Sequence, residues 1–425
     1  MQKTDWFVND RFGMFIHWGL YAVPARGEWV RHFERTPLED YQIYFDTFDP
    51  VDYDPVAWAK AAAAAGMKYA VMTAKHHDGF CLFDSKLTEY KATNTKAGRD
   101  LIREYVDAFR AEGLKIGFYY SLLDWHHPDY PHFGDPFHPM RENEEFKGKK
   151  HDIDNYLDYM HGQVKELCTN YGKIDIFWFD FSYDAMFGED WRATKLVRMI
   201  RKYWPEIIID NRLEGSGEGY GSLMTDDPSE YSGDFVCPEQ IIPLDGIKNE
   251  SGKPIIWEAC VTMNNHWGYN ATDKNFKPAN MLIRKLVECV SKGGNLLLNI
   301  GPDAKGNIPE ESKNILKEIG GWMTKNSESI YGCDSAGLGK PEYGWITRKE
   351  NTIYFHILEN QINAVPLLGL KKEQIKRLWY VSSGAEMKLY GSHFLHDYKD
   401  VPFISFGESP LLPDQIDTVI GVEIE

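Results

Sequence analysis

Apolar and polar positions follow two alternating patterns over the first three quarters of the chain. Short apolar runs rich in β-branched and aromatic residues are typical of buried strands, and the segments between them repeat apolar residues every three or four positions, as helices do. The strand-like runs are Phe12–Gly19, Lys68–His77, Lys115–Ser121, Lys173–Phe181, Glu206–Arg212, Pro254–Cys260 and Asn295–Pro302, with a weaker eighth near Asp234–Val236. The helical segments are Pro55–Gly66, Asp100–Gly113, Tyr156–Gly172, Trp191–Trp204, Pro278–Lys292 and Pro309–Ser329.

Strands that alternate with helices predict an α/β protein with a parallel sheet. Over residues 1–332 the repeats favour a (β/α)8-like barrel of the TIM type. A doubly wound open sheet is the alternative, but no glycine-rich phosphate loop opens any of the helices. Beyond Gly332 the pattern changes to short strand-like runs, NTIYFHIL, RLWYVSSG, MKLYG and DTVIGVEIE, with one short helix at Lys371–Lys376. Residues 333–425 are therefore predicted to form a small C-terminal β-sandwich domain.

Composition and charge argue against several classes of function. The net charge of −17 argues against a nucleic-acid partner, which requires a basic face, and against an anionic membrane surface. No segment reaches the ~20 consecutive apolar residues of a membrane span, and the N-terminus lacks the pattern of a signal peptide, so we expect a cytoplasmic protein. The six cysteines show no CxxC spacing and do not predict a disulfide framework.

The C-terminal ends of the predicted strands carry most of the candidate chemistry, and in such a barrel these ends form the active site. They supply His17 and Trp18, His76–Asp78, Tyr119 and Tyr120, Trp178 and Asp180, Asp210–Arg212, Trp257 and Glu258, and Asn299, and the loops add Glu28, Trp29, His126, His127, Glu239 and Asn264–Asn270. Many rings beside hydrogen-bonding groups favour a carbohydrate site. A metal site is less favoured, because the adjacent His76 and His77 point to opposite faces of a strand and no HxH or HExxH spacing occurs.

Asp180 is the strongest candidate for a catalytic group. It ends the apolar strand IDIFWFD, where a buried carboxylate is unfavourable unless it has donors or a catalytic role. Glycoside hydrolases use carboxylate pairs, about 5–5.5 Å apart in retaining enzymes and about 6.5–9.5 Å apart in inverting ones. Asp175 of the same strand is interpreted as structural. The partner of Asp180 remains open at this point among Glu28, Glu214, Glu230, Glu239 and Glu258.

Motifs along the whole barrel region resemble glycoside hydrolase family 29, the α-L-fucosidases. They include FGMFIHWG, KHHDGF, FWFD, GDFVCPEQ, WEACVTMNNHWGYN and SKGGNLLLNIGP, in that order. The resemblance implies a retaining exo-α-L-fucosidase that hydrolyses terminal fucose from oligosaccharides or glycoconjugates by double displacement. It also implies a barrel followed by a β-sandwich, no metal and no other cofactor, and members of the family often form homo-oligomers.

By motif position the resemblance implies that Asp180 is the nucleophile and Glu239 the acid/base, with Glu230 and Glu258 as the alternatives for the acid/base. The substrate-binding residues that it implies are His17, Glu28, Trp29, His76, His77, Tyr119, Trp178, Arg212 and Trp267. Arg212 and the histidines are expected to favour the ionised form of Asp180. Phe181 departs from the small residue that many members carry after the nucleophile, which predicts a differently shaped pocket at that point.

Two other functions are weighed against this one. Another barrel glycosidase, such as a galactosidase or an inverting hydrolase, would cleave a different chromogenic glycoside or release an inverted product. A fucose-binding protein without activity would bind the sugar without turnover and would lack a correctly placed carboxylate pair.

Overall fold

Parallel strands form the central sheet in the computed structural model, which describes residues 2–216, 219–409 and 411–425. The strands of this seven-stranded sheet are β1 Phe12–Ile16, β2 Tyr69–Lys75, β3 Lys115–Ser121, β4 Ile176–Asp180, β5 Ile208–Ile209, β6 Glu258–Thr262 and β7 Asn295–Ile300. They lie in the order β5-β4-β3-β2-β1-β7-β6, and the registers are parallel throughout. The TIM-like barrel predicted from the sequence is confirmed.

A segment around Phe235–Glu239 lies between the two edge strands β5 and β6. Asp234 donates its backbone N–H to Ile209, and Glu258 donates its own to Val236, at 2.7 and 2.9 Å. Parallel bridges join Asp210 to Phe235 and Glu239 to Cys260 on the two sides of the segment. It takes the place of the weak eighth strand of the prediction, although Pro238 has no N–H to donate and interrupts a regular ladder.

Helices surround the barrel in the expected alternation. Across the described ranges they are α1 Asp5–Asp10, α2 Val30–Phe33, α3 Leu38–Thr47, α4 Pro55–Ala64, α5 Leu101–Ala111, α6 Ile153–Asn170, α7 Ala193–Tyr203, α8 Ala279–Ser291 and α9 Glu310–Asn326. The starts of α4, α5 and α6 follow from their sequence, because Asp54, Asp100 and Asp152 each accept a backbone N–H of the first turn. Within the described residues, no helix combines the length and the apolar character that crossing a membrane requires.

The C-terminal region is built from antiparallel sheets, as a β-sandwich requires. Its strands are β8 Asp334–Ser335, β9 Gly344–Lys349, β10 Thr352–Ile357, β11 Ala364–Pro366, β12 Ile375–Tyr380, β13 Phe403–Ser405 and β14 Thr418–Ile424. They form a five-stranded sheet, β12-β14-β10-β9-β8, and a β11-β13 pair. A core that includes Phe355, Ile404 and Ile420 fills this region. The domain boundary between residues 332 and 333 stays a prediction.

Three sequence-based expectations for these elements are wrong. MKLYG (387–391) forms no strand, and the helix expected at Lys371–Lys376 is a 3-10 turn, Lys372–Gln374, because strand β12 begins at Ile375. The run Pro254–Cys260 is out of register with β6, which begins only at Glu258. Glu258 therefore starts its strand, opposite Asn295, instead of ending it. This places its side chain at the end of the barrel away from the strands' C-terminal ends.

Candidate active site

A pocket opens at the C-terminal ends of the barrel strands. Strand β1 leads into His17, β2 leads into His76 and His77, and β4 ends on Asp180, so consecutive strands deliver these side chains to one edge. Every residue that the family resemblance implied as nucleophile, acid/base or substrate-binding lines this pocket. The lining consists of Phe15, His17, Glu28, Trp29, His76, His77, Tyr119, Trp178, Asp180, Phe181, Arg212, Glu239, Cys260 and Trp267.

Two carboxylates of the pocket bind the same guanidinium group. Arg212 donates from Nη1 to Asp180 Oδ1 at 2.7 Å and from Nη2 to Glu239 Oε2 at 3.0 Å. The other oxygens are also engaged, because Tyr119 Oη donates to Asp180 Oδ2 at 2.8 Å and Trp267 Nε1 donates to Glu239 Oε1 at 3.2 Å. The Asp180 side chain is buried, whereas that of Glu239 is 41% exposed. One carboxylate therefore lies inside the pocket and the other at its rim.

Burial dominates the electrostatics of Asp180. It raises the pKa of that carboxyl above its ordinary value; Arg212 and the Tyr119 hydroxyl act against this effect, and Glu239 adds to it. The sequence-based expectation that Arg212 would favour the ionised form is right about that interaction but not about the net direction, because desolvation is the larger effect. Burial lowers the pKa of Arg212, but the carboxylates of Asp180 and Glu239 outweigh it and keep the guanidinium charged.

Two histidines of the pocket have their protons fixed by neighbouring groups. His77 Nδ1 lies 2.6 Å from Ser121 Oγ, which already donates to the Leu123 carbonyl, so the imidazole must donate from Nδ1. His17 Nδ1 likewise donates at 2.7 Å to Asn299 Oδ1, whose amide nitrogen donates to the Trp267 carbonyl. Burial lowers the pKa of His17 to about 3 and that of His77 well below its ordinary value. Each ring is therefore neutral and keeps Nε2 as a hydrogen-bond acceptor.

Glu28 and His76 complete the polar wall. Glu28 Oε2 accepts the backbone N–H of Gly268 at 2.8 Å, and burial raises the pKa of Glu28. His76 is fully buried, which lowers its pKa, and its Nδ1 has no hydrogen-bond partner among the described residues.

Several residues considered from the sequence lie elsewhere. Glu230 forms an exposed ion pair with Arg198 at 2.7 Å, and Glu214 accepts from Ser222. His126 stacks on Tyr90 with ring centroids 3.9 Å apart, outside the pocket. Other candidates from the sequence also lie outside the pocket lining: Trp18, Asp78, Tyr120, His127, Asp210, Asn211, Trp257, Glu258 and Asn299. Over residues 2–216, 219–409 and 411–425, no group of three or more His, Cys, Asp or Glu side chains is arranged to hold a metal ion.

Comparison with known proteins shows the family of this chain. A sequence model of the family described as "Alpha-L-fucosidase" matches residues 1–328. The chain belongs to the α-L-fucosidase family. This membership agrees with the sequence motifs that resemble glycoside hydrolase family 29, the family of one matching structure.

Individual members of the family extend the likeness over the whole chain. An α-L-fucosidase of Dictyostelium discoideum is 29% identical over 415 residues, 87% of this chain and 84% of that protein. The structure of α-L-fucosidase isoenzyme 1 from Paenibacillus thiaminolyticus matches with a TM-score of 0.97 and 59% identity over 100% of this chain and 99% of that one. A GH29 α-L-fucosidase from Bacteroides thetaiotaomicron, trapped as a covalent intermediate with 2-fluoro-fucosyl fluoride, matches with a TM-score of 0.85 and 28% identity over 100% of this chain and 96% of that one.

Phe181 contributes a large aromatic ring to the lining of the pocket. Directly after Asp180 its backbone has φ of 82°, a conformation that favours glycine and costs other residues about 1–3 kcal/mol. The ring packs against Trp29, His77 and Phe137, with centroids 5.2, 5.0 and 4.6 Å away. The backbone N–H groups of Phe181 and Ser182 both donate to Ser216 Oγ. This aromatic packing offsets the backbone strain and builds one wall of the pocket.

Two residues that line the pocket were not predicted from the sequence. Phe15 and Cys260 both face the interior of the barrel from the middle of strands β1 and β6. Phe15 lies two positions before His17, so the period of two along a strand would have placed it on the same face. Cys260 ends its predicted strand, but a lone thiol there does not indicate a sugar site.

Proposed function

We propose that this chain is a retaining exo-α-L-fucosidase, acting on terminal fucose of oligosaccharides or glycoconjugates. The observation that carries the proposal is the bridge from Arg212 to Asp180 and Glu239 inside a pocket lined by the family motifs. The span of one guanidinium keeps the two carboxylates close together, as a retaining mechanism requires. Buried side chains that include Tyr69, Val71 and Ile176 pack in the barrel with the pocket residues Phe15 and Trp178, which suits a terminal sugar because a longer chain could not continue inward.

Asp180 acts as the nucleophile in the first step. Its ionised oxygen attacks the anomeric carbon of the sugar, and the bond to the leaving oxygen breaks as Glu239 gives that oxygen a proton. Arg212 and Tyr119 hold the attacking carboxylate in place. The product of this step is a glycosyl ester on Asp180.

Glu239 reverses its role in the second step. Its carboxylate removes a proton from a water molecule, which attacks the same carbon and releases Asp180. Exposure at the rim suits this role, because both the leaving group and the water must reach Glu239 from outside.

The remaining pocket residues bind the sugar. The Nε2 atoms of His17 and His77 accept hydrogen bonds from its hydroxyl groups, since both protons reside on Nδ1. Trp29, Trp178 and Trp267 supply apolar surface for the C6 methyl group, worth about 1–3 kcal/mol for selection of fucose over galactose. Exclusion of the extra galactose hydroxyl by this tightly packed wall completes the discrimination.

A second cleft, on the far side of Glu239, is suited to the leaving group. It shares Arg212 and Glu239 with the pocket and continues to Tyr220 and Ile241. The Ile241 side chain is largely exposed there, and an aromatic residue beside an apolar one offers a surface for the next sugar ring.

Hydrolysis of p-nitrophenyl α-L-fucoside tests the proposal. Wild type is expected to release nitrophenol from the fucoside in preference to the β-D-galactoside, and Asp180→Ala to lose on the order of 10⁴-fold or more of kcat/KM. Asp175→Ala is the matched control, since Asp175 precedes the same strand and accepts the Ile116 N–H at the other end of the barrel. Full activity in Asp180→Ala, or a preference for the galactoside, would refute the proposal.

A cytoplasmic location and self-association are part of the same proposal. All six cysteines are unpaired thiols, as is usual in a reducing compartment. Cell fractionation with an antibody to the chain tests the location, and light scattering of the purified enzyme measures its oligomeric state.

A further inference from the structure

Asn299 lies near the end of strand β7, and the proposed mechanism gives it no role. It pairs with Phe15 of β1 and Thr262 of β6, and its side chain is buried. The amide contacts two pocket residues from different segments of the chain. Its Oδ1 lies 2.7 Å from His17 Nδ1, and its Nδ2 lies 2.8 Å from the Trp267 carbonyl oxygen. One side chain therefore joins the residue after β1 to the loop after β6.

The orientation of the Asn299 amide follows from its two partners. A backbone carbonyl only accepts hydrogen bonds, so the amide nitrogen must face Trp267 and the amide oxygen must face His17. The His17 ring then has to carry its proton on Nδ1, which leaves Nε2 as an acceptor for a sugar hydroxyl. A side chain at position 299 with acceptors alone would leave the Trp267 carbonyl without its donor.

Trp267 leads from this amide to the acid/base. Its indole Nε1 donates to Glu239 Oε1 at 3.2 Å, so one oxygen of that carboxylate is held by the Trp267 ring. The backbone of the same segment packs closely against the barrel. The N–H of Gly268 donates to Glu28 Oε2 at 2.8 Å, and a Cβ at Gly301 would come within 2.7 Å of the Trp267 carbonyl oxygen. A change in the side chain that binds this carbonyl is therefore transmitted to the indole.

We propose that Asn299 is a positioning residue, which fixes the proton of His17 on Nδ1 and, through Trp267, holds the carboxylate of Glu239 in place. Asn299 touches no sugar, because it does not line the pocket. One amide thus serves both the side of the pocket that binds hydroxyl groups and the side that transfers the proton. This inference rests on the fucosidase function proposed above.

The test compares two substrates that differ in their need for an acid. Phenolate is a more basic leaving group than p-nitrophenolate, so phenyl α-L-fucoside depends more strongly on proton donation by Glu239. Asn299→Leu is expected to lower kcat/KM by about 10–100-fold on the p-nitrophenyl substrate, since small displacements of positioned groups have effects of that size. The loss on the phenyl substrate is expected to be larger by a further factor of about 5, because the acid/base is displaced as well.

Asn295→Leu is the matched control. Asn295 is the same residue type on the same strand, is also buried, and donates to the Phe7 carbonyl at 2.8 Å at the other end of the barrel. Its replacement is expected to lower stability, while the ratio of kcat/KM on the two substrates stays at the wild-type value. The Asn299→Leu/Trp267→Phe double variant is expected to discriminate between the substrates no more strongly than Trp267→Phe, because both changes act through one contact to Glu239.

Asn299→Asp supplies a second test, which stands if Asn299→Leu fails to fold. A protonated carboxyl can donate to the Trp267 carbonyl and accept from His17, whereas the ionised form only accepts. The kcat/KM of Asn299→Asp, divided by that of wild type at the same pH, is therefore expected to fall as pH rises from about 4 to about 8.

Several outcomes would overturn the inference. Equal losses of Asn299→Leu on the two substrates would show that Glu239 is not held through Asn299, and the same excess loss in Asn295→Leu would make it a general effect of destabilisation. An unchanged kcat/KM on the p-nitrophenyl substrate would contradict the role at His17. Excess losses that multiply in the double variant, or a pH-independent ratio for Asn299→Asp, would contradict the role of the Trp267 carbonyl. Inactive wild type would contradict the proposed function instead.

Discussion

Two buried groups of polar side chains, one in the barrel and one in the C-terminal region, have a similar composition but differ in their access to solvent. In the barrel, Asp180 binds Arg212 and Tyr119, and in the C-terminal region Asp417 binds His356 at 2.7 Å while His356 Nε2 lies 3.2 Å from Thr347 Oγ1. Burial raises the pKa of both aspartates. The Thr347 hydroxyl, however, donates to the Ser329 carbonyl, and all three side chains of the C-terminal group are buried. A raised carboxyl pKa therefore indicates burial. Such a carboxyl can take part in catalysis only where a pocket connects it to solvent.

After Asp180, the largest expected effect concerns Glu239, whose carboxylate is partly exposed. Glu239→Ala is expected to lower kcat/KM for poor leaving groups by about 10²–10⁴-fold, because general acid–base catalysis is lost. Azide should restore turnover of an activated aryl fucoside. Glu230→Ala is the matched control, since Glu230 makes only an exposed ion pair with Arg198. Azide rescue of the Glu230 variant instead would transfer the acid/base role to that residue.

Asp417→Ala is expected to act on stability alone. It leaves the His356 Nδ1 donor buried without a partner, so the free energy of unfolding should fall by about 1–3 kcal/mol. Urea denaturation measures this loss, and kcat/KM of the folded variant should equal that of wild type. A lower kcat/KM in Asp417→Ala would mean that the C-terminal region contributes to the reaction.

The two aspartates should also respond to pH in different assays. The proposed mechanism needs ionised Asp180, and burial raises the pKa of that carboxyl, so kcat/KM should fall about tenfold per pH unit on the acid side, starting above the usual aspartate range. Asp417 contributes stability that is present at low pH and is lost as pH rises through its raised native pKa. Activity and urea profiles between pH 3 and 8 measure the two effects. An acid limb of kcat/KM below the ordinary aspartate pKa would contradict the assignment of Asp180.

The smallest expected effect concerns Phe181, which forms the pocket wall beside Asp180. Phe181→Gly and Phe181→Ala both remove the ring that contacts Trp29 and Phe137, and kcat/KM should fall by about 2–10-fold, chiefly through KM. Glycine tolerates φ of 82° and alanine does not, so the glycine variant should be more stable by about 1 kcal/mol. Equal thermal stability of the two variants would show that the backbone relaxes at this position.

The barrel was more predictable than the C-terminal region because its strands are buried on both faces. The run Lys115–Ser121 matches β3 residue for residue, since the turn at Gly113 precedes an unbroken apolar strand. Strand β9, Gly344–Lys349, was missed because its only large apolar residues, Trp345 and Ile346, are followed by the polar run Thr347–Lys349. The register of β6 failed because the apolar residues Pro254–Trp257 pack in a loop before the strand begins.

Residue types at the site were predictable, and their mutual geometry was not. Motifs named Asp180, Glu239 and Arg212, but a pattern along the chain does not show that one guanidinium binds both carboxylates. The direction of the Asp180 pKa shift depends on how deeply the strand end is buried, which the sequence does not encode locally. His126 was grouped with the site because it follows the strand end closely, yet its ring turns away to stack on Tyr90.

In the proposed mechanism, the group formed by Arg212, Asp180 and Glu239 keeps the same net charge through the reaction cycle. Before attack, the positive Arg212 faces an ionised Asp180 and a Glu239 that carries the proton to be donated, and the three together are neutral. In the glycosyl ester Asp180 has no charge and Glu239 has lost its proton, so the same trio is neutral again. The negative charge moves from one side of a fixed cation to the other, and an uncharged sugar never has to share a desolvated pocket with an unbalanced ion.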